Sequence, residues 1–383
     1  MDGRTEVGTS LWRLPPMRAL AGVTALGFVG YSLTLASLPA HAVAGGAAVD
    51  TAGLVTAVFL VVTIAGQSAV PVLTARYGAG PVLVAGLAAL GAPAPLYAVD
   101  DGLLWLSAVS AVRGLGFAVL TVLGATLAAR VAPPERRGEA IGVYGLAIAV
   151  PHLVAVPAGV ALVLYGHAGW LAWLAASPVL ALPLVPAVVR GARAEPPAGT
   201  SSSRAAVRAA LAPSAVLLVV TLAGGGLVTF LPIERPDGVL ATAALLVFGV
   251  TGAVSRWRAG VLADRAGTRL LLPLAVGVSA AGMAAVAFGL GAGAGWVLAG
   301  AAVFGAGYGT VQNLTLLASF ARAGEGGATA ASAMWNASFD AGTAGGALAL
   351  GLVAAGVGLP WTYVLVAGAL LLTLPLARVA ARP

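Results

Sequence analysis

The chain has 383 residues, 60% of them hydrophobic and only 9% charged, with a mean hydropathy of +1.00. Soluble domains average about 45–50% apolar and about 25% charged residues, so a water-soluble fold is excluded. Long apolar runs without alternation also exclude a β-barrel, leaving a helical membrane protein. Cysteine is absent, which removes disulfides and thiolate metal sites. The 20 basic residues are all arginine and are scattered along the chain, without the single patch that nucleic acid needs.

A membrane span needs about 20 mostly apolar residues. In chain order twelve stretches qualify: Ala19–Pro39, Leu54–Leu73, Gly80–Tyr97, Leu103–Ala129, Ala140–Tyr165, Gly169–Val189, Ser214–Leu231, Gly238–Val254, Leu270–Gly291, Trp296–Phe320, Ala330–Ala355 and Trp361–Ala377. The "AHA" at 40–42 resembles a signal-peptide cleavage site. The apolar run before it, however, is longer than the roughly 7–15 residues of a signal-peptide core. Abundant glycine and proline suit lipid: small residues such as Gly342 and Gly346 let helices approach, and prolines kink spans.

Charge fixes the expected orientation. With both termini cytoplasmic, every arginine except Arg113 and Arg235 falls on an inner segment, whereas the outer loops carry Asp50, Asp100, Asp101, Glu234 and Asp237. The positive-inside rule then predicts a multi-pass protein of the cell membrane, both ends inside.

The polar interval 190–209, rich in Pro, Gly and Ser, reads as a cytoplasmic linker between a bundle at 1–189 and a bundle at 210–383. The two bundles resemble each other. "PVLTARYGAGPVL" (71–83) lies over "GVLADRAGTRLLL" (260–272) at an offset of 265 − 76 = 189, and "RGLGFA" (113–118) over "FGAGYG" (304–309) at 304 − 113 = 191. Two landmarks at nearly one offset imply duplication, and six-helix parallel repeats are a transporter architecture.

On these motifs the sequence resembles the major facilitator superfamily from about Ala19 to Ala377, in its drug- and sugar-efflux-like branch. "GVLADRAGTR" matches that family's signature between helices 8 and 9, and "AVRGLGFAV" its helix-4 arginine pattern. "PPERRGEAIGVYG" resembles the loop into helix 5, "AVPAG" (155–159) a weak antiporter signature, and "WNASFDAGTAGG" (335–346) the helix-11 pattern. The resemblance implies an all-α fold of 12 transmembrane helices in two pseudo-symmetric six-helix bundles. It also implies a cytoplasmic gate at Arg76, Gly78, Gly260, Asp264, Arg265, Gly267 and Arg269. In that gate, Asp264 and Arg265 latch onto the start of helix 5. The first-half copy has lost its acid, Ala75 standing in its place, and helix 1 carries no acid near Gly30.

Two full charges lie deep in spans, Arg113 and Asp340, each about ten residues from the start of its span. A charge there is unfavourable unless it has a partner, a cavity or a purpose. Arg113 is either an anchor to backbone carbonyls or part of the solute or proton pathway. Asp340 is either an interhelical contact beside Asn336 or a proton site, and His152, after Pro151, is the third titratable candidate. By family resemblance Tyr31, Thr34, Gln312, Asn313 and Asn336 are candidate solute contacts, with Tyr308 a lesser one.

Neither a P-loop motif nor lysine is present, which excludes a built-in ATP motor. Histidines and acids are too scattered for an enzyme site, and no metal or cofactor is expected. The expected activity is proton-coupled efflux, by antiport, of a small organic molecule through alternating access. The expected partners are that solute, protons and the lipid bilayer, with the protein a monomer. Uptake by symport, or a transport-inactive sensor that kept the fold, are the alternatives.

Overall fold

The computed structural model describes residues 10–193, 200–234, 239–324 and 326–382. Arg4, Arg235, Asp237 and the middle of the linker, 194–199, lie outside the described residues. Among the described residues eleven helices are long and apolar enough to cross a membrane, and twelve with the bent pair α2 counted as one span; in order they are α1 (Pro15–Ala44), α2 (Leu54–Gln67 and Val70–Tyr77), α3 (Ala79–Ala98), α4 (Leu103–Val131), α5 (Pro134–Leu164), α6 (Ala168–Gly191), α7 (Arg204–Leu231), α8 (Val239–Ala266), α9 (Leu271–Ala292), α10 (Ala294–Ala323), α11 (Ala328–Val357) and α12 (Leu359–Ala380). No strand occurs among the described residues. Leu104, Leu352 and Leu372 are more than three-quarters exposed, and Trp170, Trp173, Trp296 and Trp361 stand exposed near span ends. Those are a lipid-facing surface and its interfacial aromatic anchors.

Proline explains the interruptions. α2 bends by 51° between its two segments, just before Pro71, whose ring conflicts with the carbonyl four residues earlier and which lacks an N–H. α6 passes through a 3₁₀ stretch at Ser177–Leu184 that contains Pro178 and Pro183. The interval read as a linker, 190–209, is helical at both described ends: Val185–Gly191 is helical on one side and the helix of α7 begins at Thr200 on the other.

The chain divides into two compact units, residues 1–196 and 197–383. Their internal packing repeats. A Cβ at Gly114 of α4 would meet the Phe59 carbonyl oxygen of α2, and one at Gly305 of α10 would meet the Phe248 carbonyl oxygen of α8. The offsets, 305 − 114 = 191 and 248 − 59 = 189, are those of the sequence landmarks. Gly116 meets α3 and Gly307 meets α9 in the same way. These glycines let the paired helices approach closely in each bundle.

The helix-end arginines repeat as well. Arg130 Nε donates to the carbonyl of Arg193 at 2.7 Å, and Arg322 Nη1 donates to the carbonyl of Arg382 at 2.8 Å. Each ties the end of the unit's fourth helix to the chain leaving its sixth. Arg193 answers by donating to the carbonyl of Ala132.

Two boundaries differ from the sequence expectation. The helix of α7 begins at Thr200 and not near Ser214. α8 continues past Val254 to Ala266, so Gly260, Asp264 and Arg265 belong to its last turns and the reversal is confined to 267–270. Ser255, Arg256 and Arg258 lower the local hydropathy and end the apolar run early. The helix persists because Gly252, Arg256, Ala259, Gly260 and Ala263 form one buried face. Gly267 has φ +75° with open space around it, and Gly78 has φ +81° likewise. These two positions need glycine for their positive φ.

Candidate functional site

In the first unit Arg113 is fully buried on α4 and held by three other helices. Its Nε donates to Leu90 O of α3 (2.8 Å), its Nη1 to Thr34 Oγ1 of α1 (3.0 Å), and its Nη2 to Gly30 O of α1 (2.7 Å) and Ala175 O of α6 (3.4 Å). The Tyr97 ring lies 5.2 Å from its guanidinium carbon. Of the two readings left open for Arg113, this geometry matches the anchor: backbone carbonyls and a ring face satisfy a planar five-donor group. Thr34 is part of that clamp, buried, and also donates to Tyr31 O at 3.0 Å.

Tyr31 sits in an aromatic cluster that the sparse aromatic content did not suggest. Its ring stacks on Phe117 (4.1 Å between centroids) and Phe59 (5.4 Å), with Phe28 edge-on at 6.0 Å and the His152 ring nearly parallel at 6.3 Å. His152 Nδ1 shares a 3.0 Å hydrogen bond with Ser32 Oγ. A pocket of about 10 Å³, lined by Tyr31, Thr34, Phe59 and Ser110 among others, opens beside the cluster. It is large enough for one water.

The second unit holds a pseudo-equivalent arrangement. Phe248 of α8 and Tyr308 of α10 lie 5.1 Å apart, at the repeat positions of Phe59 and Phe117. Asp340 of α11 is half-buried and lies at the repeat position of His152, 340 − 152 = 188. Thr343, three residues after Asp340 on α11, donates to the carbonyl of Phe339 at 2.9 Å. Asn336, one turn before Asp340, donates to Ser332 O at 2.9 Å.

Arg256 is the residue that sequence reasoning placed wrongly. Ending α8 at Val254 put it in a cytoplasmic segment; it lies within the span and is only 8% exposed. Arg113 and Asp340 are therefore not the only charges inside the helices. Arg256 Nη1 donates to Gln312 Oε1 at 2.8 Å, and Asn313 Nδ2 donates to the Arg256 carbonyl at 3.0 Å. Gln312 and Asn313 are both buried and engaged with Arg256. The signal was available: Gln67 stands at the same repeat position inside α2.

Of the gate residues, Arg265 and Arg269 are exposed, Asp264 is half-buried and Gly260 is buried within α8. Thr268 Oγ1 donates to Ala381 O at 3.3 Å, tying the turn to the end of α12. Arg76 is exposed, its guanidinium 5.2 Å from the Tyr77 ring. Among the described residues no cluster of three metal-ligating side chains occurs.

The profile of the Major Facilitator Superfamily matches residues 20–333. The chain belongs to the Major Facilitator Superfamily. Its fold is similar to the human organic anion transporter MFSD10 (TETRAN), with a TM-score of 0.76 at 16% identity over 96% of this chain and 100% of that one. It is also similar to the E. coli fucose:proton symporter FucP, with a TM-score of 0.73 at 15% identity over 96% and 99% of the two chains. A structure of FucP in the outward conformation gives 0.74 at 14% identity, over 96% of this chain and 99% of that one. No curated protein sequence matches the chain. Membership of the superfamily makes this a secondary transporter with membrane-spanning helices.

Proposed function

We propose that this superfamily member is a proton-coupled transporter of a small organic molecule in the cell membrane, with export as its working direction. The observation that carries the reading is Asp340. It is the one carboxylate at mid-depth in a span among the described residues, and it is half-buried on α11. An intramembrane carboxylate has a function by default, and the sequence lacks any nucleotide motif to supply energy in another way. The efflux-type patterns on α5 and α11 favour export, and the arginine distribution supports cytoplasmic termini. His152, bonded to Ser32 beside Tyr31, is the second titratable group of the pathway.

The test is flux in proteoliposomes, across a panel of small organic solutes, with and without an imposed pH gradient. Asp340→Asn should leave solute binding intact and abolish stimulation by the gradient. Full gradient-driven transport in Asp340→Asn would make Asp340 an interhelical contact and overturn the reading.

A further inference from the structure

The duplication supplies an internal control for Arg256. In the first unit, Gln67 of α2 reaches Thr121 of α4 (Nε2 to Oγ1, 3.5 Å); in the second, Arg256 of α8 reaches Gln312 of α10 at 2.8 Å. The offsets are 256 − 67 = 189 and 312 − 121 = 191, so the two bridges are repeat-equivalent. A neutral amide and a hydroxyl are thus enough to join these helices. Arg256 adds a full charge inside the span, which is unfavourable unless it has a partner, a cavity or a purpose. Helix pairing does not account for that charge.

The surroundings of Arg256 are fixed. Its guanidinium carbon lies 5.9 Å from the centre of the Trp335 ring, and Trp335 Nε1 donates to Thr315 Oγ1 at 3.0 Å, which sets that ring's plane. Asp340 is at a matching depth. Arg256 stands ten residues before the end of α8 and Asp340 twelve after the start of α11. Those two helix ends lie on one side of the bundle, because α9 and α10 cross and return between them. At 1.5 Å per residue both groups are about 15–18 Å in. Trp335, whose ring faces Arg256, stands on the same helix as Asp340, five residues before it. The other ionisable groups near mid-span in this unit's described residues are Tyr363 on α12 and Arg258. Arg258 is exposed, with its guanidinium 5.2 Å from the Trp257 ring. α7 meets α11 through Thr221, Gly225 and Gly226, and α9 carries no ionisable residue.

We propose that Arg256 receives the negative charge of the transported solute, an organic monocarboxylate, while Asp340 is protonated. This rests on the reading that Asp340 takes the proton. With Asp340 ionised, the two charges offset each other and the site holds no net charge for a solute. When Asp340 binds one proton, its carboxylate becomes a neutral acid and the site is left at +1. One solute carboxylate then restores neutrality. The empty and loaded sites are both electrically balanced, and the loaded one carries one proton with one anion. The proton moves with the solute, so the coupling is symport in place of the antiport expected from the sequence, and export runs on the solute's own outward gradient.

The test uses matched probes on the full chain in nanodiscs: benzoate against benzamide, and hexanoate against hexanamide, at pH 5.5 and pH 8. We expect the acids to bind wild type and the amides not to, with acid affinity falling at least about tenfold at pH 8. Arg256→Gln, which copies the first unit's own residue, should weaken acid binding by at least about tenfold while leaving the melting temperature close to wild type. Arg256→Lys should restore part of it. Acids and amides binding alike to wild type, or neither acid binding, overturns the proposal without any variant. So does Arg256→Gln with acid affinity within about twofold of wild type. Acid binding that needs Arg256 but ignores pH would keep the anion site and refute the protonation of Asp340.

Discussion

Arg113→Ala should unfold the first unit's centre before it says anything about transport. The side chain makes three hydrogen bonds of 2.7–3.0 Å and one of 3.4 Å, and these reach α1, α3 and α6 from α4. Interhelical hydrogen bonds in membranes average about 0.6 kcal/mol and reach about 1.7. Contact with the Tyr97 face adds about 1–2 kcal/mol in a desolvated site. Removing the side chain also removes a buried charge, and the carbonyls it leaves are already bonded along their own helices, which lowers the net effect. The expected destabilisation is therefore about 2–5 kcal/mol. Arg113→Lys should recover little of it, since one ammonium on a flexible stem cannot serve three helices at once. Unfolding in mixed micelles, followed by tryptophan fluorescence, measures the loss. If Arg113→Ala unfolds like wild type yet transports nothing, the clamp is incidental and the arginine acts on solute or proton.

Gly305→Val should destabilise the second unit by at least about 1–3 kcal/mol, because the added carbons meet the Phe248 backbone with no room to shift; wild-type melting would refute that packing. Tyr31→Ala should lower stability by about 2–4 kcal/mol, somewhat below a full aromatic deletion because Tyr31 is half-buried. Tyr31→Phe should keep that stability, since its stacking partners are the rings of Phe59 and Phe117. If both Tyr31 variants melt alike, the cluster contributes little.

The spans were legible because lipid removes alternatives. An apolar run of about 20 residues can be only a helix, and its ends lie within a few residues wherever the flanks are loops. Legibility failed at α8, where the apolar run stops at Val254 and the helix continues to Ala266. Hydropathy reads transfer to lipid, whereas Arg256 is buried in protein, against Gln312 and Trp335. The same limitation affects Arg113. Sequence shows that a charge sits at mid-span, yet its role depends on which acceptors surround it, and Leu90, Gly30 and Ala175 contribute only backbone carbonyls, which no side-chain pattern announces. The Tyr31 cluster was hidden for a similar reason, since its members come from α1, α2, α4 and α5.

What the duplication preserves and what it has let diverge separate scaffold from function. Gly114 and Gly305, Gly116 and Gly307, and Arg130 and Arg322 occupy the same places in the two units and do the same mechanical work. Positions 67 and 256 keep the bridge and change the charge; positions 152 and 340 keep the depth and change a weak base into an acid. A mechanical role tolerates any side chain that fits, so helix packing gives no reason for these changes to put both charges in one unit. A transport cycle does give a reason. A proton site and an anion site must influence each other through short-range electrostatics, which fall off steeply with distance and solvent. Placing Arg256 and Asp340 at one depth of a single bundle keeps that coupling within one unit. The first unit is left with a neutral bridge, an aromatic cluster and a histidine. On this argument, changing Gln67 to arginine should not create a second anion site, because no carboxylate stands at His152 to complete the exchange.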